Sequence, residues 1–167
     1  LAGAVGMVIT GVVNVREAMR ALDSQLVFQI ASALALSAAL KVTGGADFLA
    51  NLLLLILGNS PTPVVLSASF LLVAVLSNVL STKATAVLLT PIAVEIAQAV
   101  GAPLELFAVA VVFAANCAFA SPIGYQTNLL MMGPGHYKFA GFMRVGTPMI
   151  IFSWIAFSLF APLWYEL

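Results

Sequence analysis

Residues 145–165, VGTPMIIFSWIAFSLFAPLWY, run for 21 positions without a charged side chain. At 1.5 Å per residue this is about 30 Å of helix, the thickness of a bilayer's hydrocarbon core. Inside that core a backbone N–H or C=O finds no water, so every one needs a partner within the protein. This run is therefore expected to be a membrane-spanning helix. Composition extends the argument to the whole chain, which is 63% hydrophobic and 7% charged. A soluble domain carries about 25% charged residues. The outer surface is expected to face a lipid bilayer. The formal net charge is zero, which gives no reason to expect a nucleic-acid partner. A single cysteine, Cys117, rules out a disulfide within the chain and reads as a small packing residue.

The remaining apolar runs are shorter and are punctuated. Residues 1–13 make about 20 Å of helix, too short to cross, and read as the end of a truncated span. That leads to the expectation of a fragment of a larger membrane protein. Residues 14–24 collect Arg16, Glu17, Arg20 and Asp23 and read as a cytoplasmic connector. A span is expected over 24–40 and an interfacial helix over 47–58. Two prolines in GNSPTP precede residues 64–100, where two apolar pieces meet at a polar tip, SNVLSTKAT. That pattern predicts a re-entrant hairpin. Residues 104–132 read as one interrupted span, followed by a GPGHYK turn and the final span over 145–165. Trp164 and Tyr165 close it as interface anchors. The basic pairs Arg16 with Arg20 and Lys138 with Arg144 place their two loops in the cytoplasm, Lys41 being the exception.

Polar residues interrupt the apolar runs at two places: Ser77-Asn78, and the stretch from Ser121-Pro122 to Thr127-Asn128. Pro122 lacks an N–H, and Gly124 admits conformations other residues resist. Unwound backbone at such depth is tolerated where it is buried in protein or lines a wet cavity. A half-helix that starts there offers free N–H groups to an anion, and one that ends there offers carbonyls to a cation. Ser, Thr and Asn add neutral oxygens that suit Na⁺. Broken helices of this kind occur at the midplane sites of secondary transporters. The plainer reading, in which Ser and Thr bond their own helix backbone, applies to such residues when isolated. Lys83 reads either as an anion-attracting charge or as a side chain snorkelling to the interface. Glu95, Glu105 and His136 read as solvated. No set of side chains suits a resident metal or a nucleophile with its base, so no enzyme is expected.

The segments SNVLSTKATAVLLTPIA (77–93) and FAANCAFASPIGYQTNLLMMGPGHYKFAGFMRVGTP (113–148) resemble the C-terminal half of the divalent anion:Na⁺ symporters, permeases with a citrate-transporter-like domain. Within that family the resemblance is to the bacterial branch that often carries soluble TrkA-C domains and is linked to sulfate. Phe119, Pro122, Ile123, Gly124 and Asn128 satisfy the family signature, while Asn116 stands where it has a serine. Val79 stands where some tips have Thr.

The resemblance implies an all-α integral membrane fold: the C-terminal repeat of an inverted-repeat transporter, with a re-entrant helical hairpin and one interrupted transmembrane helix. It implies a substrate site at Ser77, Asn78, Thr127 and Asn128. It implies a sodium site at Ser77, Asn78, Ser121, Gly124 and Asn128. The expected activity is Na⁺-coupled symport of a small divalent anion, sulfate or dicarboxylate, with Na⁺ as coupling ion and no organic cofactor. An N-terminal repeat outside this chain, a homodimer, an elevator-like movement and the bacterial inner membrane complete the expectation. The alternatives are a proton-coupled or arsenite-type transporter and a structural subunit of a membrane complex.

Overall fold

The computed structural model describes residues 24–57 and 60–165, together with Gly6, Met7, Thr10, Gly11 and Asn14. The truncated span expected over 1–13 and the connector expected over 14–24 otherwise lie outside the described residues. Among those described, the regular structure is entirely helical: α1 (Ser24–Val42), α2 (Gly45–Leu57), α3 (Thr62–Val79), α4 (Thr82–Val100), α5 (Leu104–Ala115), α6 (Gln126–Met132) and α7 (Phe139–Trp164). Three of them, α3, α4 and α7, are long and apolar enough to cross a membrane. Leu34–Val42 and α2 meet the same standard together, as a pair bent by 75°, and make a fourth candidate span. Gly44, at φ 71°, allows the chain to turn between them.

The core lies between α3, α4 and α5. Leu66, Phe70, Val73 and Ala74 of α3 meet Leu89, Ile92, Ala93, Ile96 and Ala97 of α4 and Phe107, Ala110, Val111 and Ala114 of α5. On each helix these residues recur at three- and four-residue steps, which makes one apolar stripe per helix. Short connections force the helices side by side. Only Leu80 and Ser81 separate α3 from α4, and Ser81 caps α4 by accepting a hydrogen bond from Ala84 N at 3.3 Å. Gly101, at φ 70°, ends α4, with Pro103 immediately before α5. The outward faces stay apolar, as lipid or further protein requires: Phe152, Leu163 and Trp164 are 75%, 76% and 85% exposed.

Several boundaries differ from the sequence reading. Ser77 and Asn78 do not form the gap at the tip; they belong to the last helical turn of α3. The chain reverses at Leu80 and Ser81, because Ser81 is the residue able to cap the next helix. α7 starts at Phe139, six residues before the charge-free run, and so carries Arg144 near its beginning. A charge on an exposed helical face does not end a helix. Tyr165 packs partly against the core, so of the two expected anchors only Trp164 is fully outward.

Candidate functional site

α5 has 12 residues, about 18 Å of helix, and stops well short of a full crossing. Beyond it, residues 116–125 are non-helical before α6 resumes at Gln126. The tip of the α3–α4 hairpin sits against this break. The side chains brought there do not leave its backbone open; they pair with it. Asn78 donates from Nδ2 to Ala74 O at 2.7 Å and to Cys117 O at 3.1 Å. Its Oδ1 accepts from Ala120 N at 2.8 Å. Asn78 is thus a staple between hairpin and break. Asn128 holds the other end of the loop, donating from Nδ2 to Ala118 O at 2.9 Å and Ser121 O at 3.3 Å.

The rest of the break is fastened in the same manner. Thr82, the first residue of α4, donates to Gly124 O from both its backbone N, at 3.0 Å, and its Oγ1, at 3.2 Å. Ser121 Oγ accepts from Ile123 N at 3.1 Å. Ser77 is 0% exposed, and its hydroxyl donates to Ala74 O at 2.8 Å and Ala114 O at 3.5 Å. Gly124 is needed for space: a Cβ there would fall under 3.0 Å from Ser77 O and 3.2 Å from Asn78 Cα. Its φ is not positive, so close approach and not backbone strain requires the glycine.

Five of the six residues expected to build the site therefore converge: Ser77, Asn78, Ser121, Gly124 and Asn128. The sixth, Thr127, is exposed and takes no part in closing the break. Lys83 is exposed on the first turn of α4, next to the tip. Glu105 and His136 are exposed, Glu95 is half-buried, and Cys117 is buried in the core. Among the described residues no group of three His, Cys, Asp or Glu side chains comes together as metal ligands.

Two participants, Thr82 and Gly146, and one buried hydroxyl of no assigned role, Thr85, escaped the sequence reading. Thr82 was hidden among the many hydroxyls of STKAT. Thr85, in the first turn of α4, is 0% exposed, and among the described residues its Oγ1 is the only buried side-chain polar atom without a partner. Gly146, in α7, would bring a Cβ under 3.0 Å from the Phe119 and Ala120 backbone. Its signal was available: a glycine inside a long helical run marks a close approach.

The break between α5 and α6 is thus closed by an asparagine from a neighbouring hairpin. The citrate transporter family matches residues 1–166. An uncharacterized transporter of Synechocystis is 36% identical over 98% of this chain and 27% of its own length. Sodium/sulfate cotransporter 1 of Chlamydomonas reinhardtii is 32% identical over 89% of this chain and 17% of its own length. The sodium-dependent dicarboxylate transporter of Staphylococcus saprophyticus is 34% identical over 68% of this chain and 22% of its own length. The chain therefore spans about a quarter or less of these relatives. On the extent of the family match and these identities, the chain belongs to the citrate transporter family.

Proposed function

We propose that this chain supplies one half of the ion and substrate site of a secondary transporter, a Na⁺-coupled symporter of a small divalent anion, sulfate or a dicarboxylate. The observation that carries the reading is the stapling of the hairpin tip to the break, Asn78 Oδ1 to Ala120 N at 2.8 Å. It brings the start of α4 next to residues 121–128, with Thr82 N on Gly124 O at 3.0 Å, so that α4 and α6 begin close together. The N-terminus of α4 offers partial positive charge to an anion, although Thr82 N and Ala84 N are already bonded to Gly124 O and Ser81 Oγ. Such an end is worth about 0.3–1 kcal/mol, or about 2 when partly buried, so a dehydrated dianion needs further donors and a cation alongside. Asn128 Oδ1, Thr127 and the carbonyls of the break are neutral oxygens that suit Na⁺. Ser77 and Asn78 serve by holding the backbone that makes the site, Ser121 and Gly124 by shaping the loop, and Thr127 and Asn128 by facing the bound ions.

In this reading α3 and α4, each long enough to cross, instead form a re-entrant hairpin, and 104–132 is a single span broken at depth. α5 favours it, because a helix of about 18 Å brings its end, and the tip beside it, near mid-membrane. A matching repeat elsewhere in the protein supplies the other half of the site. The dimer, the elevator-like movement and the bacterial inner membrane belong to the same reading, as do Na⁺ as coupling ion and the absence of an organic cofactor. The names of the relatives, sodium/sulfate cotransporter and sodium-dependent dicarboxylate transporter, support the choice of ions.

The test is uptake of radiolabelled sulfate and succinate by the full-length protein, in Na⁺ and with Na⁺ replaced by choline. Uptake that persists in choline points to proton coupling and rejects the sodium assignment. Asn78→Ala combined with Asn128→Ala is expected to abolish transport, and wild-type uptake by that double variant rejects the site.

A further inference from the structure

Gly146 is one of the few buried positions of α7, and it faces the break. A Cβ at this position would fall 2.5 Å from Ala120 N and closer still to the Phe119 carbonyl. These are backbone atoms, which cannot swing aside as a side-chain end can. The bare Cα of Gly146 thus lies on the Phe119–Ala120 peptide. That peptide carries the N–H that Asn78 Oδ1 accepts.

The same helix is fastened to the first arm of the hairpin further along its length. Trp154 Nε1 donates to Ser67 O at 3.0 Å. The hydroxyls of Ser67 and Ser158 share a hydrogen bond of 2.8 Å. The Phe157 ring stacks on Phe70 with centroids 4.6 Å apart. α7 is therefore fixed to α3 at one level and presses on the break at another. The hairpin and the break are connected directly, through Asn78 and Thr82, and indirectly through α7.

We infer that Gly146 is a positioning residue for ion binding: α7, anchored on α3, sets the place of the Phe119–Ala120 peptide, and so decides whether Ala120 N reaches Asn78 Oδ1. The inference rests on the reading of the tip and break as the ion site. Adding a methyl group at Gly146 displaces the peptide from Asn78 and loosens the loop whose carbonyls face the cation. The effect falls on cation binding before it falls on the maximal rate.

The experiment measures initial uptake of radiolabelled sulfate and succinate by the full-length protein as NaCl is titrated against choline chloride, normalised to protein in the membrane. Gly146→Ala is expected to raise the Na⁺ concentration for half-maximal uptake at least fivefold while the maximal rate changes less than twofold. Gly141→Ala, on the same helix with nothing within 4 Å of the added methyl, is expected to match wild type. Asn78→Ala, run in parallel, reports on the site itself. If Asn78→Ala shifts the Na⁺ dependence and Gly146→Ala does not, the inference is overturned and the site stands. If neither shifts it, both fall. A lowered maximal rate with unchanged Na⁺ dependence in Gly146→Ala also overturns the inference. Should Gly146→Ala fail to reach the membrane, Trp154→Phe decides. It keeps a ring but deletes the bond to Ser67 O, and it should raise the Na⁺ half-saturation at least twofold. No shift in that variant overturns the inference.

Discussion

Replacing Gly124 by alanine tests the contact on which the site depends. The added methyl would overlap Ser77 O and crowd Ala118 Cβ at 3.1 Å and Asn78 Cα at 3.2 Å. Restoring an ordinary contact of 3.4 Å to Ser77 O requires the loop to withdraw by roughly 1 Å. Such a withdrawal stretches both bonds from Thr82 to Gly124 O, now 3.0 and 3.2 Å, past hydrogen-bond range. Two such bonds contribute about 1–3 kcal/mol in total. Overpacking a filled interior costs about 1–3 kcal/mol as well. Both figures describe one displacement, so they are not summed, and about 2–3 kcal/mol is the expected loss. If it falls on the bound state, affinity drops roughly thirty- to a hundred-and-fifty-fold. The assay is uptake by the full-length protein, with half-saturation read for substrate and for Na⁺ and normalised to protein in the membrane. Gly133→Ala is the control, since nothing lies within 4 Å of its Cβ direction. Wild-type half-saturation for both ions in Gly124→Ala would refute the reasoning, because the hairpin and loop would then not need to touch for binding.

Three further outcomes follow from the same geometry. Thr85→Val removes a buried hydroxyl without a partner and should leave thermal stability in detergent unchanged or raise it by about 1 kcal/mol; a clear fall would show that the hydroxyl is used. Gly101→Ala meets open space but must hold φ 70°, so it should cost about 1–2 kcal/mol of stability and leave the Na⁺ dependence of uptake as in wild type. A double-mutant cycle on Ser67→Ala and Ser158→Ala should give a coupling of about 0.6 kcal/mol, up to about 1.7, by reversible unfolding in mixed micelles; zero coupling would mean that the 2.8 Å contact does not hold α7 to α3.

Much of the architecture was legible because it follows from solvent. A run of 21 uncharged residues leaves few options in a bilayer; the prolines at 61 and 63 mark where α3 starts, and the glycines and prolines at 101–103 and 133–135 mark where helices stop. The break was legible in part: Pro122 and Gly124 with Ser121 conflict with a plain apolar helix, but the expected helix to Ala120 ends at Ala115, and Thr127 and Asn128, read as part of the break, lie in α6. Helix ends at the tip were less so. Ser77, Asn78 and Ser81 are all good breakers by type, and only the packed structure shows that the first two stay helical while Ser81 caps α4.

What the sequence determined by itself was a list of polar groups placed where lipid would not tolerate them unpaired. What only the tertiary structure decided was how they are paired. Asn78 and Ala120 are 42 residues apart, and no periodicity connects them. Gly146 and Thr82 reach the same loop from two other helices. Local pattern fixes which faces are apolar, because that depends on a residue's own helix. The partners of a side chain depend on how separate helices are set against one another, and that is a property of packing.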